Sequence, residues 1–232
     1  MANNGRRDEL WKAFLILKYA HDSARALLDG LRVVRQERDA RRGALTDEEQ
    51  DLLRAMLIMA ASGLDSMTKQ VIREVLPVFC RKDTTVLERF QTFVARQLKS
   101  GADGHVPGGF SGLLARLLTA DSVQSASIDE YVENLTSGSL QSTDALFKVV
   151  DALGIQNKMI DKDTLKPIFD ARNNIIHTLD IDFEGQRRNR HSRRIGDMIK
   201  ATNSLLLLAE RIYADCEHKL NQLQPAAASD RV

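Results

Sequence analysis

Little in this chain can crosslink, kink or span. Only two of its 232 residues are cysteines. Cys80 and Cys216 lie far apart, with no CxxC or Cys/His cluster around them. That spacing excludes a disulfide framework and a structural zinc site, and it fits reduced thiols in a cytoplasmic protein. There are four prolines, at 77, 107, 167 and 225. Each stands at or beside the end of a helical pattern, so they punctuate rather than interrupt. Aromatic residues make up 5%, which leaves few rings for stacking on bases. Charge of one sign is missing too: 33 Lys and Arg face 32 Asp and Glu, for a net charge of +1. Any attraction to nucleic acid must therefore come from a local patch. The longest apolar stretches, around Met56–Ala61 and Leu205–Ala209, are far too short for a bilayer. Met1–Arg7 is polar and lacks the apolar core of a secretory signal. No membrane association is expected. Runs alternating with period two are essentially absent as well, which predicts an all-α chain.

What is present is helical periodicity, in enough apolar material (43%) for a real core. From about Arg7 to Arg42, Trp11, Phe14, Leu15, Tyr19, Ala26, Leu27, Leu31 and Val34 recur at spacings of three and four, the period of one helix face. At 1.5 Å per residue this helix would be about 50 Å long. After the short Gly43–Leu45 turn, Thr46 and Glu49 form a capping box that opens a second long helix, expected to stop at Pro77. The two should pair as an antiparallel hairpin. Residues 79–158 read as an insert of shorter helices decorating the bundle. Capping boxes are predicted at Thr85/Glu88 and Ser127/Glu130, a surface loop over Gly101–Gly109, and short helices over Phe110–Leu118 and Thr143–Leu153. Two long helices close the chain, from about Thr164 to His177 and from about Ser192 to Gln222, with Asp161 and Asp163 as caps. The expected architecture is one domain over 1–225, a four-helix bundle built from two long hairpins with a short-helix insert, followed by a disordered tail over 226–232.

The most informative segment is Arg172–His177, R-N-x-x-x-H, on the penultimate helix. An arginine and a histidine are the two side chains needed to cut RNA without a metal. The guanidinium is a permanent cation whose planar fork suits a phosphate. The imidazole titrates near neutrality and can give or take a proton. Together they could promote attack of an RNA 2′-OH on the neighbouring phosphorus. His177 would be general base or acid, Arg172 would stabilise the developing charge, and Asn173 would orient one of them or contact RNA. No metal or cofactor is needed. Five residues along a helix correspond to about 140° around its axis. The pair can therefore share a cleft only if the helix frays near His177, or if two copies face each other across a two-fold axis. The plainer alternative is that His177 is a C-terminal cap favoured by the helix dipole. Arg211 and His218 form a comparable string, but it lies in a polar stretch without an asparagine after the arginine.

Arg187, Arg188, Arg190, His191, Arg193 and Arg194 crowd eight positions just before the last helix. Cations there oppose the helix dipole, so helix stability does not explain them. The five arginines are candidates for holding RNA phosphates. The competing explanations are a solvated loop, or pairing with Asp180, Asp182 and Glu184 upstream. Asp65, inside the second helix, is read as part of a solvated face rather than as a polar group of the site.

Arg172, Asn173 and His177, on a penultimate long helix followed by another apolar helix, resemble the HEPN (higher eukaryotes and prokaryotes nucleotide-binding) superfamily. These are α-helical bundles with an R-x4–6-H motif, often with a polar residue directly after the arginine. The resemblance covers roughly 7–77 and 160–222 and leaves the insert unexplained. It implies a metal-independent endoribonuclease whose site forms at a homodimer interface and which leaves a 2′,3′-cyclic phosphate. It further implies a toxin of a toxin–antitoxin pair or an anti-phage defence effector, restrained or triggered by a partner protein. The alternative is a noncatalytic helical module that holds RNA or a nucleotide.

Overall fold

The computed structural model describes residues 10–39, 43–102 (backbone only over 98–102), 122–156, 158, 160–185 and 188–223. All regular secondary structure among the described residues is helical, apart from one isolated bridge between Ile181 and Arg190. The helices are α1 (Trp11–Glu37), α2 (Asp47–Lys82), α3 (Thr84–Ala102), α4 (Val123–Thr136), α5 (Thr143–Ala152), α6 (Lys162–Thr178) and α7 (Ile195–Leu223). No helix among the described residues is long and apolar enough to cross a membrane.

The α1–α2 hairpin forms as its sequence predicts. Thr46 accepts from the Glu49 N–H while the Glu49 carboxylate accepts from the Thr46 N–H, closing the capping box. That carboxylate is fully buried and also meets Arg35 of α1 and Arg38, the residue that caps that helix, each at 3.2 Å. One side chain therefore starts α2 and staples it to the end of α1. The seam between the two helices is lined by small residues: a Cβ on Gly63 would come within 2.3 Å of the Ala20 Cβ. Expected residues 7–9 and 40–42 of the first helix lie outside the described residues.

α2 does not stop at Pro77; it runs on to Lys82. A proline inside a helix costs about 3 kcal/mol. Here Val75, Leu76, Phe79 and Cys80, on both sides of it, are completely buried, and each apolar side chain contributes about 1.5–3 kcal/mol. Burial outweighs the missing hydrogen bond. Pro167 is likewise inside α6.

The caps of the shorter helices also differ from those predicted. α3 is capped by the Asp83 carboxylate, which accepts from the Val86 N–H, not by Thr85. α4 is capped by Ser122, whereas Ser127 sits inside the helix and donates to the Val123 carbonyl. α5 is capped by Ser142 and α6, as predicted, by Asp161. The predicted loop beyond residue 102, the short helix over 110–118 and the tail after 223 lie outside the described residues.

α2 is the centre of the molecule, with α1 and α7 packed along it and α6 lying against α2 and the start of α7 on a narrower seam. Segment 79–158 is more than decoration. Phe90, Ile128, Tyr131, Leu135, Leu146 and Val150 are buried and join the same core as the long helices. Tyr131 lies between Phe90 and Phe93, with ring centroids 5.7 and 4.7 Å away. The Lys219 ammonium of α7 binds the Leu153 and Gly154 carbonyls at the end of α5, and Asp83 at the start of α3. Cys80 and Cys216 are free and buried, and burial pushes their thiols up to about 11 and about 12. They are packing residues, not reactive ones.

Candidate functional site

α6 carries the R-N-x-x-x-H run. Asp161 opens the helix by accepting from the Asp163 N–H and the Thr164 hydroxyl. Leu165, Ile168, Phe169 and Ile175 then seat one face on the core. Arg172 is four residues after Ile168 and three before Ile175, so it leans toward that same face and is half-buried. One of its terminal nitrogens, Nη1, donates to the Asn173 Oδ1 at 2.9 Å. Its Nε is buried without a hydrogen-bond partner among the described residues. Burial pulls its pKa below the ordinary arginine value, with the negative charge of Asp65 opposing the shift. The guanidinium remains charged at any physiological pH.

Asp65 corrects the solvated-face expectation. Its side chain is only 15% exposed, and it pairs with Lys69 at 2.9 Å. It also accepts from the Leu140 N–H at 2.7 Å. The connection between α4 and α5 is thereby tied to the part of α2 that faces Arg172.

His177 is exposed on the last turn of α6, with no hydrogen-bond partner among the described residues. The helix continues through Thr178, so it does not fray before His177. With the turn intact, Arg172 and His177 stay about 140° apart around the axis, one toward the core and one outward. The structure does not bring them together within one chain. The C-cap is Leu179 rather than His177, and His177 is the basic residue of the last turn. The Asn174 carbonyl is taken by the Thr178 hydroxyl and the Asp180 N–H.

Leu179 and Asp180 both adopt left-handed backbone conformations, turning the chain off the end of α6. The segment folds back so that the Asp182 N–H meets the Asn189 carbonyl and the His191 N–H meets the Asp180 carbonyl. Asp180 is completely buried. Its carboxylate accepts from Arg54 Nε of α2 at 2.9 Å and from Arg193 Nε at 3.0 Å. Burial pushes the Asp180 carboxyl up, but hydrogen bonds from Arg193 and Arg54 outweigh it and hold it below the usual carboxylate range. Arg54 also reaches Asp51 and the His191 carbonyl. Gln50 binds both the N–H and the carbonyl of Arg193.

The arginine cluster therefore divides. Arg193 is engaged with Asp180, and Arg190 pairs with Asp51 at 2.7 Å while donating to the Leu179 carbonyl. Arg188 and Arg194 are exposed, with no ion-pair partner among the described residues. Arg187 lies outside the described residues. Arg188, Asn189, Arg190, His191 and Asp182 line a shallow polar cleft of about 360 Å³. Ile176, Leu179 and Phe183, within six residues of His177 in sequence, are exposed.

The sequence reading missed Gln50, Asp51 and Arg54. The signal was there: Gln50 and Arg54 share a helix face with Leu53 and Leu57, so two polar side chains stand in a core stripe. The Asp51–Arg54 spacing instead reads as an ordinary surface pair. No family model matches the chain, and no curated protein or solved structure matches it either.

Proposed function

We propose that the chain is a metal-independent endoribonuclease of HEPN type, acting as a homodimer and serving as a toxin or a defence effector under the control of a partner protein. The observation that carries this reading is the state of Arg172. It is half-buried, oriented by the Asn173 that directly follows it, and has a guanidinium Nε that no described protein group engages. A buried donor without a partner costs about 1–3 kcal/mol. An RNA phosphate that draws the guanidinium outward would bring Nε, closed to solvent here, into a hydrogen bond and offset that cost.

In the proposed reaction the 2′-oxygen of one ribose attacks the adjacent phosphorus. The 2′-OH proton leaves to a base, and the bond from phosphorus to the 5′-oxygen breaks. That oxygen takes up a proton to become a 5′-hydroxyl, and a 2′,3′-cyclic phosphate remains. His177 carries one of the two protons, and Arg172 stabilises the charge that builds on the phosphoryl oxygens. Because His177 faces away from Arg172 on an unbroken helix, the pair is completed across a two-fold axis. The exposed apolar side chains of Ile176, Leu179 and Phe183, close to His177 in sequence, suit such a contact. Among the described residues of the cluster, Arg188 and Arg194 are the arginines free to follow the RNA backbone.

The test is cleavage of total RNA in EDTA by wild type and His177→Ala. Cyclic-phosphate ends, with a rate about 10²–10⁴-fold lower in the variant, are expected. Cutting retained in His177→Ala would remove that residue from the mechanism. A folded dimer that binds RNA but never cuts it would favour a noncatalytic RNA-binding module. That second reading draws on the same exposed arginines and on the separation of Arg172 from His177 within one chain.

A further inference from the structure

The last turn of a helix is its least constrained part, since its carbonyls lack helical partners. A proton-transfer group there must nevertheless hold its geometry to about 0.5 Å. His177 has no side-chain bond among the described residues to hold it, so whatever fixes its turn must act through the backbone.

Every polar group of Asp180, three residues on, is engaged. Its N–H closes on the Asn174 carbonyl of α6 at 2.9 Å, and its own carbonyl accepts the His191 N–H at 2.8 Å. Its carboxylate is gripped by Arg54 of α2 and by Arg193 at the approach to α7. Arg54 is itself only 4% exposed. Three elements thus meet on one buried anion directly behind the last turn of α6. Buried ion clusters are poor stabilisers, because the desolvation of each charge offsets most of the attraction, and their best-attested use is to fix register. A buried ion cluster joining three elements, placed three residues from the histidine, points to a geometric duty.

We infer that Asp180, clamped between Arg54 and Arg193, is a positioning residue that fixes the last turn of α6 and so the direction of the His177 imidazole. This rests on the reading of His177 as a proton-transfer group. It also explains why Arg193 is withdrawn from the cluster available to RNA.

The test uses the full chain as wild type, Asp180→Asn, Arg193→Gln, Arg193→Lys and His177→Ala, each checked for folding by circular dichroism. Two readouts are taken: kcat and KM for RNA cleavage, and the His177 ring resonance in NMR, assigned by its loss in His177→Ala. In folded Asp180→Asn, kcat is expected to fall by about 10²-fold, the penalty of a displacement near 1 Å, with KM little changed. The His177 resonance shifts or broadens. Should Asp180→Asn not fold, Arg193→Gln, which leaves Arg54 on the carboxylate, shows the same pattern more weakly, and Arg193→Lys recovers part of it. A folded variant with wild-type kcat and an unmoved His177 resonance overturns the inference. If wild type cuts no RNA, the resonance still decides: a shift upholds the clamp while the nuclease reading falls, and no shift overturns the clamp as well.

Discussion

Charge at Arg172 and charge at Asp180 serve different ends, and the difference can be measured. Arg172 offers a planar fork, which a lysine lacks, so Arg172→Lys keeps the cation and loses the bidentate grip. Cleavage is expected to drop by about 10²-fold or more in kcat with the Tm little changed, as when one transition-state donor is removed. A lysine variant with wild-type kcat would mean that only charge matters there. Asp180 instead couples folding to pH. Its carboxyl lies below the usual range in the fold because Arg193 and Arg54 outweigh the effect of burial. A depressed carboxylate contributes stability that is fully present above its unfolded value of about 3.9 and is lost as pH falls through the folded value. Urea unfolding of wild type should therefore show a loss of stability on acidification below about pH 4 that Asp180→Asn shows less steeply. Parallel acid profiles for the two proteins would put the linkage elsewhere. The motif was legible because Arg172, Asn173 and His177 fall within six residues of one helical pattern. The clamp was not, because Arg54 and Asp180 stand 126 positions apart, and a polar side chain in a core stripe does not name its distant partner.

At the scale of elements, the molecule depends on how closely α2 is approached. Gly63 exists because Ala20 of α1 occupies the space a side chain would need. Gly63→Val should cost about 1–3 kcal/mol or more by overpacking, although valine is otherwise acceptable in a buried helix. Thermal or urea unfolding reads this directly, and a neutral result would mean that the helices can slide apart freely. Glu49 is the second fixed point of the same hairpin. Glu49→Ala removes the capping box and leaves Arg35 and Arg38 without their buried partner. A loss of about 3–5 kcal/mol is expected, well beyond the roughly 1 kcal/mol of a simple cap. This hairpin was legible in sequence, since a capping box and three-four spacing are local signals. The continuation of α2 through Pro77 was not. A proline reads locally as a stop, whereas the burial of Leu76 and Phe79 that overrides it comes from distant segments. The caps of α3 and α4 were misplaced for a related reason: an Asp two residues upstream in α3, and a Ser five residues upstream in α4, offered an equally good local acceptor.

For the whole molecule, a net charge of +1 gives no global pull on nucleic acid, so any RNA attraction must come from a local patch. Of the five clustered arginines, Arg187 lies outside the described residues, Arg190 and Arg193 are paired with Asp51 and Asp180, Arg188 is exposed in the cleft, and Arg194 is exposed. Each phosphate met by a cation releases counterions, so the logarithm of RNA affinity falls with the logarithm of salt, by about 0.7 per contact on single strands. Arg188→Glu with Arg194→Glu should therefore weaken RNA binding and flatten the salt dependence by roughly 1.4, without altering stability by more than about 0.5 kcal/mol, since both side chains are exposed. Arg190→Gln, by contrast, should lower stability and leave the salt slope nearly unchanged, because its charge is already spent on Asp51. Fluorescence anisotropy with a short RNA across a salt series separates the two. Equal slopes for wild type and the double variant would remove Arg188 and Arg194 from the RNA path. A flattened slope for Arg190→Gln would mean that its pair with Asp51 opens on binding, and the division of the cluster into structural and RNA-facing arginines would not stand.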